Sequence, residues 1–178
     1  MPENEPRFLT DLTTIVSVGR LDPVKRFNHI ALIAAQLNKR GLQFRWYIIG
    51  DGAERNAIDK SIKDNHVENV VIMLGAKTNP HHYIRHADLY VCLSESEACP
   101  RVVNEAKILG TPTISTVFPT IYEYIEDGKT GMITPLSGVP DAIMRLFTDS
   151  SLYQQIKTNI SQFEFDNTEL LEQIQEIL

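Results

Sequence analysis

The chain has 178 residues, 43% hydrophobic and 22% charged, with 17 Lys and Arg against 23 Asp and Glu and a formal charge of −6. A domain of this size buries roughly 70% of the surface its unfolded chain exposes, so it needs no metal or disulfide staple. The acidic balance excludes a broad footprint for nucleic acid or an anionic membrane, though not a local basic pocket. No apolar run approaches the ~18 residues that span a bilayer, and the start lacks the basic-then-apolar pattern of a signal peptide. Only two cysteines occur, Cys92 and Cys99, without metal-ligand spacing. A reducing cytoplasm is the expected setting.

Residues 1–12 read as a polar, Pro-bearing, linker-like lead-in, and 13–178 as one domain. The run 14–18 predicts a strand ending at Gly19, followed by a polar loop to Arg26. Over 27–39, Ile30, Leu32, Ile33, Ala34 and Leu37 predict a helix closed by Gly41. A strand over 44–49 ends at Gly50-Asp51-Gly52, and a helix over about 53–64 leads to a strand over 70–74. Asn79-Pro80 opens a short helix to about 86, before a strand over 88–93. Then come a helix over 100–109, a strand over 113–115, a helical turn over 122–125 and a strand over 132–134. The rest, about 138–178, reads as two or three helices, the last with an apolar stripe of Leu170, Leu171, Ile174, Ile177 and Leu178 that could self-associate. Strands alternating with helices predict an α/β fold, a Rossmann-like, doubly wound parallel sheet with helices on both faces. Ligands of such sheets bind beyond the carboxyl ends of the strands. The loops after Val18, Ile49, Leu74, Leu93 and Ser115 should therefore share one edge.

Two of those loops carry the chemistry. In Ser94-Glu95-Ser96-Glu97-Ala98-Cys99-Pro100-Arg101-Val102-Val103-Asn104-Glu105, proline suits the first position of a helix. Glu97 then lies in the loop and Glu105 on the second turn. Free N–H groups of Arg101, Val102 and Val103 would face a diphosphate at the positive helix end. In Gly19-Arg20-Leu21-Asp22-Pro23-Val24-Lys25, glycine allows close backbone approach. Arg20 can fork onto phosphate oxygens, and Lys25 adds a compact second charge. Other features read blandly. Glu95 is a solvated bystander, and Gly50-Asp51-Gly52 is a turn without the third glycine of a dinucleotide fingerprint. His81, His82 and His86 fit the polar face of a short helix, so no metal is expected. Cys92 reads as a core thiol, and no histidine neighbours Cys99 in sequence to make it a nucleophile.

Together these segments resemble the C-terminal, donor-binding domain of retaining GT-B-type glycosyltransferases, the group called glycosyl transferases group 1 or family 4. The resemblance rests on Val18-Gly19-Arg20-Leu21 with Lys25, and on Ile49-Gly50-Asp51-Gly52 with Glu54-Arg55. It rests equally on Ser94 to Glu97 with seven residues to Glu105, on Glu105-Ala106 before Leu109-Gly110-Thr111-Pro112, and on Glu123 to Gly131. It implies a transferase that moves a sugar from a nucleoside-diphosphate donor to a carbohydrate or lipid-linked acceptor, as in polysaccharide biosynthesis, without a metal or other cofactor. Arg20, Lys25 and Glu97 would be the catalytic group. Arg20 and Lys25 would hold the diphosphate, and Glu97 the donor sugar. Glu105 would accept from the ribose hydroxyls. The backbone of Arg101, Val102 and Val103 would meet phosphate or sugar, while Gly19 sits at the phosphates and Gly75, Ala76 and Lys77 near the base.

The family usually has glycine after the first glutamate, where this chain has Ala98, so the loop either changes shape or avoids positive φ. It often has paired glycines where this chain has Phe118-Pro119-Thr120, so donor identity is not inherited. Family enzymes carry a preceding acceptor-binding domain, expected here as a missing partner that could also make peripheral membrane contact. Without it, the chain should bind nucleotide weakly and transfer little or nothing. A nucleotide-sugar epimerase or hydrolase on the same fold, and a non-catalytic binding module, remain alternatives. A phospho-receiver domain is set aside because no acidic cluster follows the first strand.

Overall fold

Near-continuous apolar runs become the strands of a sheet buried on both sides. The computed structural model describes residues 12–162. The strands are β1 (Thr13–Val18), β2 (Phe44–Ile49), β3 (Val71–Gly75), β4 (Leu89–Cys92), β5 (Thr113–Thr116) and β6 (Met132–Thr134). The helices are α1 (Ile30–Lys39), α2 (Arg55–Asp64), α3 (Pro80–Arg85), α4 (Arg101–Ile108), α5 (Val139–Thr148) and α6 (Ser150–Ser161). All strand pairs are parallel, in the order β3-β2-β1-β4-β5-β6. The expected fold class is the observed one. The lead-in over 1–11 and the apolar stripe from Leu170 to Leu178 lie outside the described residues.

Two cores explain why the strands read as continuous rather than alternating. Ile15, Trp46, Ile48, Val91 and Ile114 pack with Ile33 of α1, Ile58 of α2, Ile143 of α5 and Ile156 of α6. Val16, Tyr47, Ile49 and Tyr90 point the other way, against Tyr83 and Ile84 of α3 and Val103 and Ala106 of α4. Each fully buried aliphatic side chain contributes about 1.5–3 kcal/mol. Leu32 departs from its expected place. It is 49% exposed, because a residue two positions after Ile30 lies on the far side of α1. The helix expected from 27 also begins later. Arg26 takes a left-handed φ of 53°, and Phe27–His29 forms a short 3-10 turn before α1.

Strand order reverses between β1 and β4, the place where doubly wound sheets open a ligand crevice. Backbone pairing of these two strands stops at Val16↔Tyr90. Beyond it, Ser17 Oγ donates to the Val91 carbonyl at 2.7 Å and accepts from Trp46 Nε1 at 3.1 Å. The loops after β1 and β4 are thereby placed as the two lips of that crevice.

At the far end of the chain, Asp149 caps α6 by accepting from the Leu152 N–H at 3.0 Å and the Ser151 hydroxyl at 2.6 Å. These bonds, led by the one from Ser151, hold its carboxyl below the usual value. A carboxyl lowered on folding stabilises above its unfolded pKa, and that contribution fades as pH falls through the folded one. Asp149→Ala is therefore expected to lower the melting temperature at neutral pH, with the gap to wild type closing in acid. A gap that stays constant down to the acid limb would contradict the cap.

Candidate functional site

The floor of the crevice is made by backbone against backbone. Gly19 N–H donates to the Ile49 carbonyl and Leu21 N–H to the Asp51 carbonyl, both at 3.0 Å. Gly50 N–H donates to the Gly75 carbonyl at the same distance, tying in β3. Gly50 has φ 146°, and a Cβ there would sit 1.8 Å from the Gly19 carbonyl oxygen. The glycines after β2 thus exist to seat the loop after β1. Above this floor, a cleft of about 170 Å³ is lined by Gly19, Arg20, Gly50, Ala76, Lys77 and Pro80, among others. Three expected donor ligands, Gly19, Arg20 and Lys77, share it. The Arg20 side chain is 81% exposed, and its Nε donates to Asp22 Oδ2 at 2.8 Å. Lys77 Nζ lies 6.0 Å from the Tyr83 ring centroid, so the amine is held at the rim.

The decisive contact joins the two lips. Lys25 Nζ donates to Glu97 Oε1 at 2.8 Å, with the two side chains only 21% and 15% exposed. Ser94 Oγ donates to the same oxygen at 2.5 Å. The Cys92 thiol lies 3.8 Å from it. Residues 72 apart in sequence therefore meet as a partly shielded ion pair, in which each charge is costly to leave alone. Two further bonds sew the same seam. Glu95 N–H donates to the Val24 carbonyl at 2.8 Å, and Arg26 Nη2 reaches Glu95 Oε1 at 2.7 Å. Glu95, expected to be a bystander, is instead a tether. Gly19 connects seam and cleft, since a Cβ on it would touch Lys25 Cε at 3.6 Å.

The start of α4 differs from its expected form. Pro100 takes φ −77° and ψ 66°, and Arg101 N–H turns back to the Cys99 carbonyl at 2.8 Å. That is an inverse γ-turn, so proline precedes the helix instead of opening it. Val103 N–H is used as well, donating to the Pro100 carbonyl at 3.0 Å. Of the three N–H groups expected to be free, only that of Val102 has no partner among the described residues. Proline fixes φ but not ψ, and ψ chose the turn. Glu105 lies on the side of α4, as its spacing predicts. Its Oε2 is 3.2 Å from His81 Nε2 on α3.

Several supporting side chains carry no signal in the sequence. The Tyr90 hydroxyl donates weakly to the Val18 carbonyl at 3.5 Å, beneath the crevice. Burial pushes its pKa well up, and the Cys92 thiol and the carboxylates Glu97 and Glu105 add to the rise. It is a neutral donor at any physiological pH. Burial likewise pushes the Cys92 thiol up, in keeping with a core position. Thr116 Oγ1 donates to the Ser94 carbonyl and Thr120 Oγ1 to the Glu97 carbonyl, both at 2.6 Å. The end of β5 and the loop after it are thus tied to the backbone that carries Glu97. Ala98 does not take a positive φ, so its backbone needs no glycine there. Exposed Cys99 lies 3.5 Å from the Tyr124 hydroxyl. Among the described residues, no group of three or more His, Cys, Asp or Glu side chains is placed to hold a metal ion, and His81, His82 and His86 form none.

A family model described as glycosyl transferases group 1 matches residues 3–163. The chain belongs to the glycosyl transferases group 1 family. Among its relatives, N-acetyl-alpha-D-glucosaminyl L-malate synthase of Bacillus anthracis is 28% identical over 145 residues, 80% of this chain and 38% of the relative. The crystal structure of a Staphylococcus aureus TarM mutant in complex with Fondaparinux, alpha-GlcNAc-glycerol and UDP superposes with a TM-score of 0.84 at 22% identity. That match covers 97% of this chain and 36% of TarM. The C-terminal domain of a glycosyl transferase group 1 family protein (LpcC) from Francisella tularensis gives 0.73 at 21% identity, covering 86% of this chain and 87% of that domain. At those identities the structures establish the fold, which is that of one GT-B half. The group 1 chain spans about a third to two-fifths of the length of the curated relatives it matches. No described helix is long and apolar enough to cross a membrane.

Proposed function

We propose that this group 1 chain is the donor-binding half of a retaining glycosyltransferase that uses a nucleoside-diphosphate sugar. The observation that carries the reading is the Lys25–Glu97 ion pair across the switch point, which puts a cation and a hydrogen-bond-accepting carboxylate within one crevice. The donor's diphosphate lies between Arg20, Lys25 and the Val102 N–H, next to Gly19 and the first turn of α4 with Arg101 and Val103. Glu97 spends Oε1 on Lys25 and Ser94, and its other oxygen accepts from the sugar hydroxyls. Glu105 accepts from the ribose, and Gly75 and Lys77 border the base. When the bond from the anomeric carbon to the diphosphate breaks, the electron pair leaves on phosphate oxygen. Lys25 and Arg20 stabilise that charge more than they stabilise the bound donor, which is how they accelerate the step. Two cations and a helix end serve the phosphate, so the proposal invokes no metal and no cofactor.

The acceptor, a carbohydrate or a lipid-linked sugar, is proposed to bind to a separate domain of a longer cytoplasmic enzyme. The fraction of its relatives that this chain spans supports that division. Such an enzyme could meet a membrane surface through that other domain. Calorimetry on the 178-residue chain with UDP, GDP and ADP sugars tests the donor half of the reading. Binding to at least one, with UDP tried first because TarM was crystallised with it, is the expected result. No heat with any donor at millimolar concentration would overturn the assignment. Product analysis with donor alone separates this chain, expected to release little sugar, from an epimerase or hydrolase.

A further inference from the structure

We propose that His81 is a positioning residue that sets the carboxylate of Glu105 for a ribose diol, an inference that rests on the ribose role of Glu105 given above. Glu105 projects from the side of α4 with its side chain 36% exposed, and so would sample several rotamers. Ordering a glutamate side chain costs conformational entropy, which a ligand alone would have to meet. His81 lifts part of that burden in advance. Its Nε2 lies 3.2 Å from Glu105 Oε2.

The helix that carries the histidine is well anchored. Tyr83 and Ile84 of α3 pack into the same core as Val103 and Ala106 of α4. Thr111 Oγ1, just past α4, donates to the Ile84 carbonyl at 2.7 Å, fixing one helix against the other. Pro80, one residue before His81, lines the cleft that holds Gly19, Arg20 and Lys77. The helix that bears His81 therefore borders the cleft proposed for the donor.

The hydrogen-bond inventory fits a diol. An ionised carboxylate offers about four lone-pair sites. His81 Nε2 stands 3.2 Å from Oε2, leaving Oε1 whole for the vicinal hydroxyls. Free rotation of Glu105 would leave the diol bound by one hydroxyl at a time.

The test is calorimetry on the 178-residue chain, comparing UDP with its 2′,3′-dideoxy analogue. Wild type is expected to favour UDP. His81→Ala should weaken UDP about two- to fivefold, the range of a half-exposed charge-assisted contact, and leave the dideoxy analogue unchanged. His81→Gln, which still offers an N–H, should recover most of that loss. Matching thermal melts for the variants exclude a folding effect at this half-exposed position. Equal losses for both ligands, no loss for UDP, or no recovery with glutamine would overturn the proposal for His81. A wild type that binds both ligands equally would remove the ribose role of Glu105, and His81 with it. Glu105→Gln separates the cases, since it should abolish the preference for UDP even if His81→Ala does not.

Discussion

Lys25→Ala is expected to weaken binding of a nucleotide sugar by about ten- to a hundredfold, the loss of one to two charge-assisted hydrogen bonds. The variant removes the cation proposed to face the phosphate and also releases Glu97, whose Oε1 it holds at 2.8 Å. Glu97 would keep the Ser94 hydroxyl but face the crevice with its charge unbalanced. Binding of the sugar-bearing donor should thus fall more than binding of the bare nucleoside diphosphate. Arg20→Ala should cost less, because that guanidinium is exposed and already bonded to Asp22. A double-mutant cycle with Glu97→Gln measures the link directly. If the two residues act as one unit, the second substitution adds little to the first. Additive losses would break the pairing and leave Lys25 a phosphate ligand alone.

Gly50→Ala should be the most damaging single change to the fold. The residue combines φ 146° with a Cβ position 1.8 Å from the Gly19 carbonyl oxygen. A methyl group there must push β1's loop away from β2, and the bonds from Gly19 to Ile49 and from Leu21 to Asp51 go with it. Backbone strain plus lost bonds amounts to about 3 kcal/mol or more. For a domain of this size that lowers the melting temperature by roughly 6–12 °C. Gly110→Ala is the contrast. It has φ 74° but nothing within 4 Å of an added Cβ, so only the conformational cost of about 1 kcal/mol remains. Urea unfolding of both variants decides the matter. A Gly50→Ala protein within about 0.5 kcal/mol of wild type would refute the backbone-contact account.

Much of this was legible in the chain because sheet topology follows from pattern. Apolar runs separated by helical periods specify parallel strands, and parallel strands send every following loop to one edge. That placed Lys25 and Glu97 on one side of the molecule before any geometry was known. Their direct contact was not legible. Nothing local to Val24 or Ser96 states that the two loops will lie a hydrogen bond apart. Pro100 misled for a different reason, since its φ near −77° suits both a helix start and an inverse γ-turn. Leu32 matched a helical stripe by proximity, yet sits on the outer face. Glu95 looked solvated because its role is carried mostly by its backbone N–H, which no side-chain pattern reveals. The contact between His81 and Glu105 depends on α3 and α4 being neighbours across a crossover, a tertiary fact.

The two threonine bonds from the end of β5 and the loop after it to the backbone of Ser94 and Glu97 bear on protein engineering. Exchanging the Ser94–Cys99 stretch alone for that of a homologue would import a main chain shaped by someone else's anchors. Thr116, Thr120 and the Val24 carbonyl would then hold it in a foreign posture. The smallest cassette to transplant therefore comprises three separate stretches: the turn leading to Arg26, the Ser94–Cys99 stretch and residues 116–120.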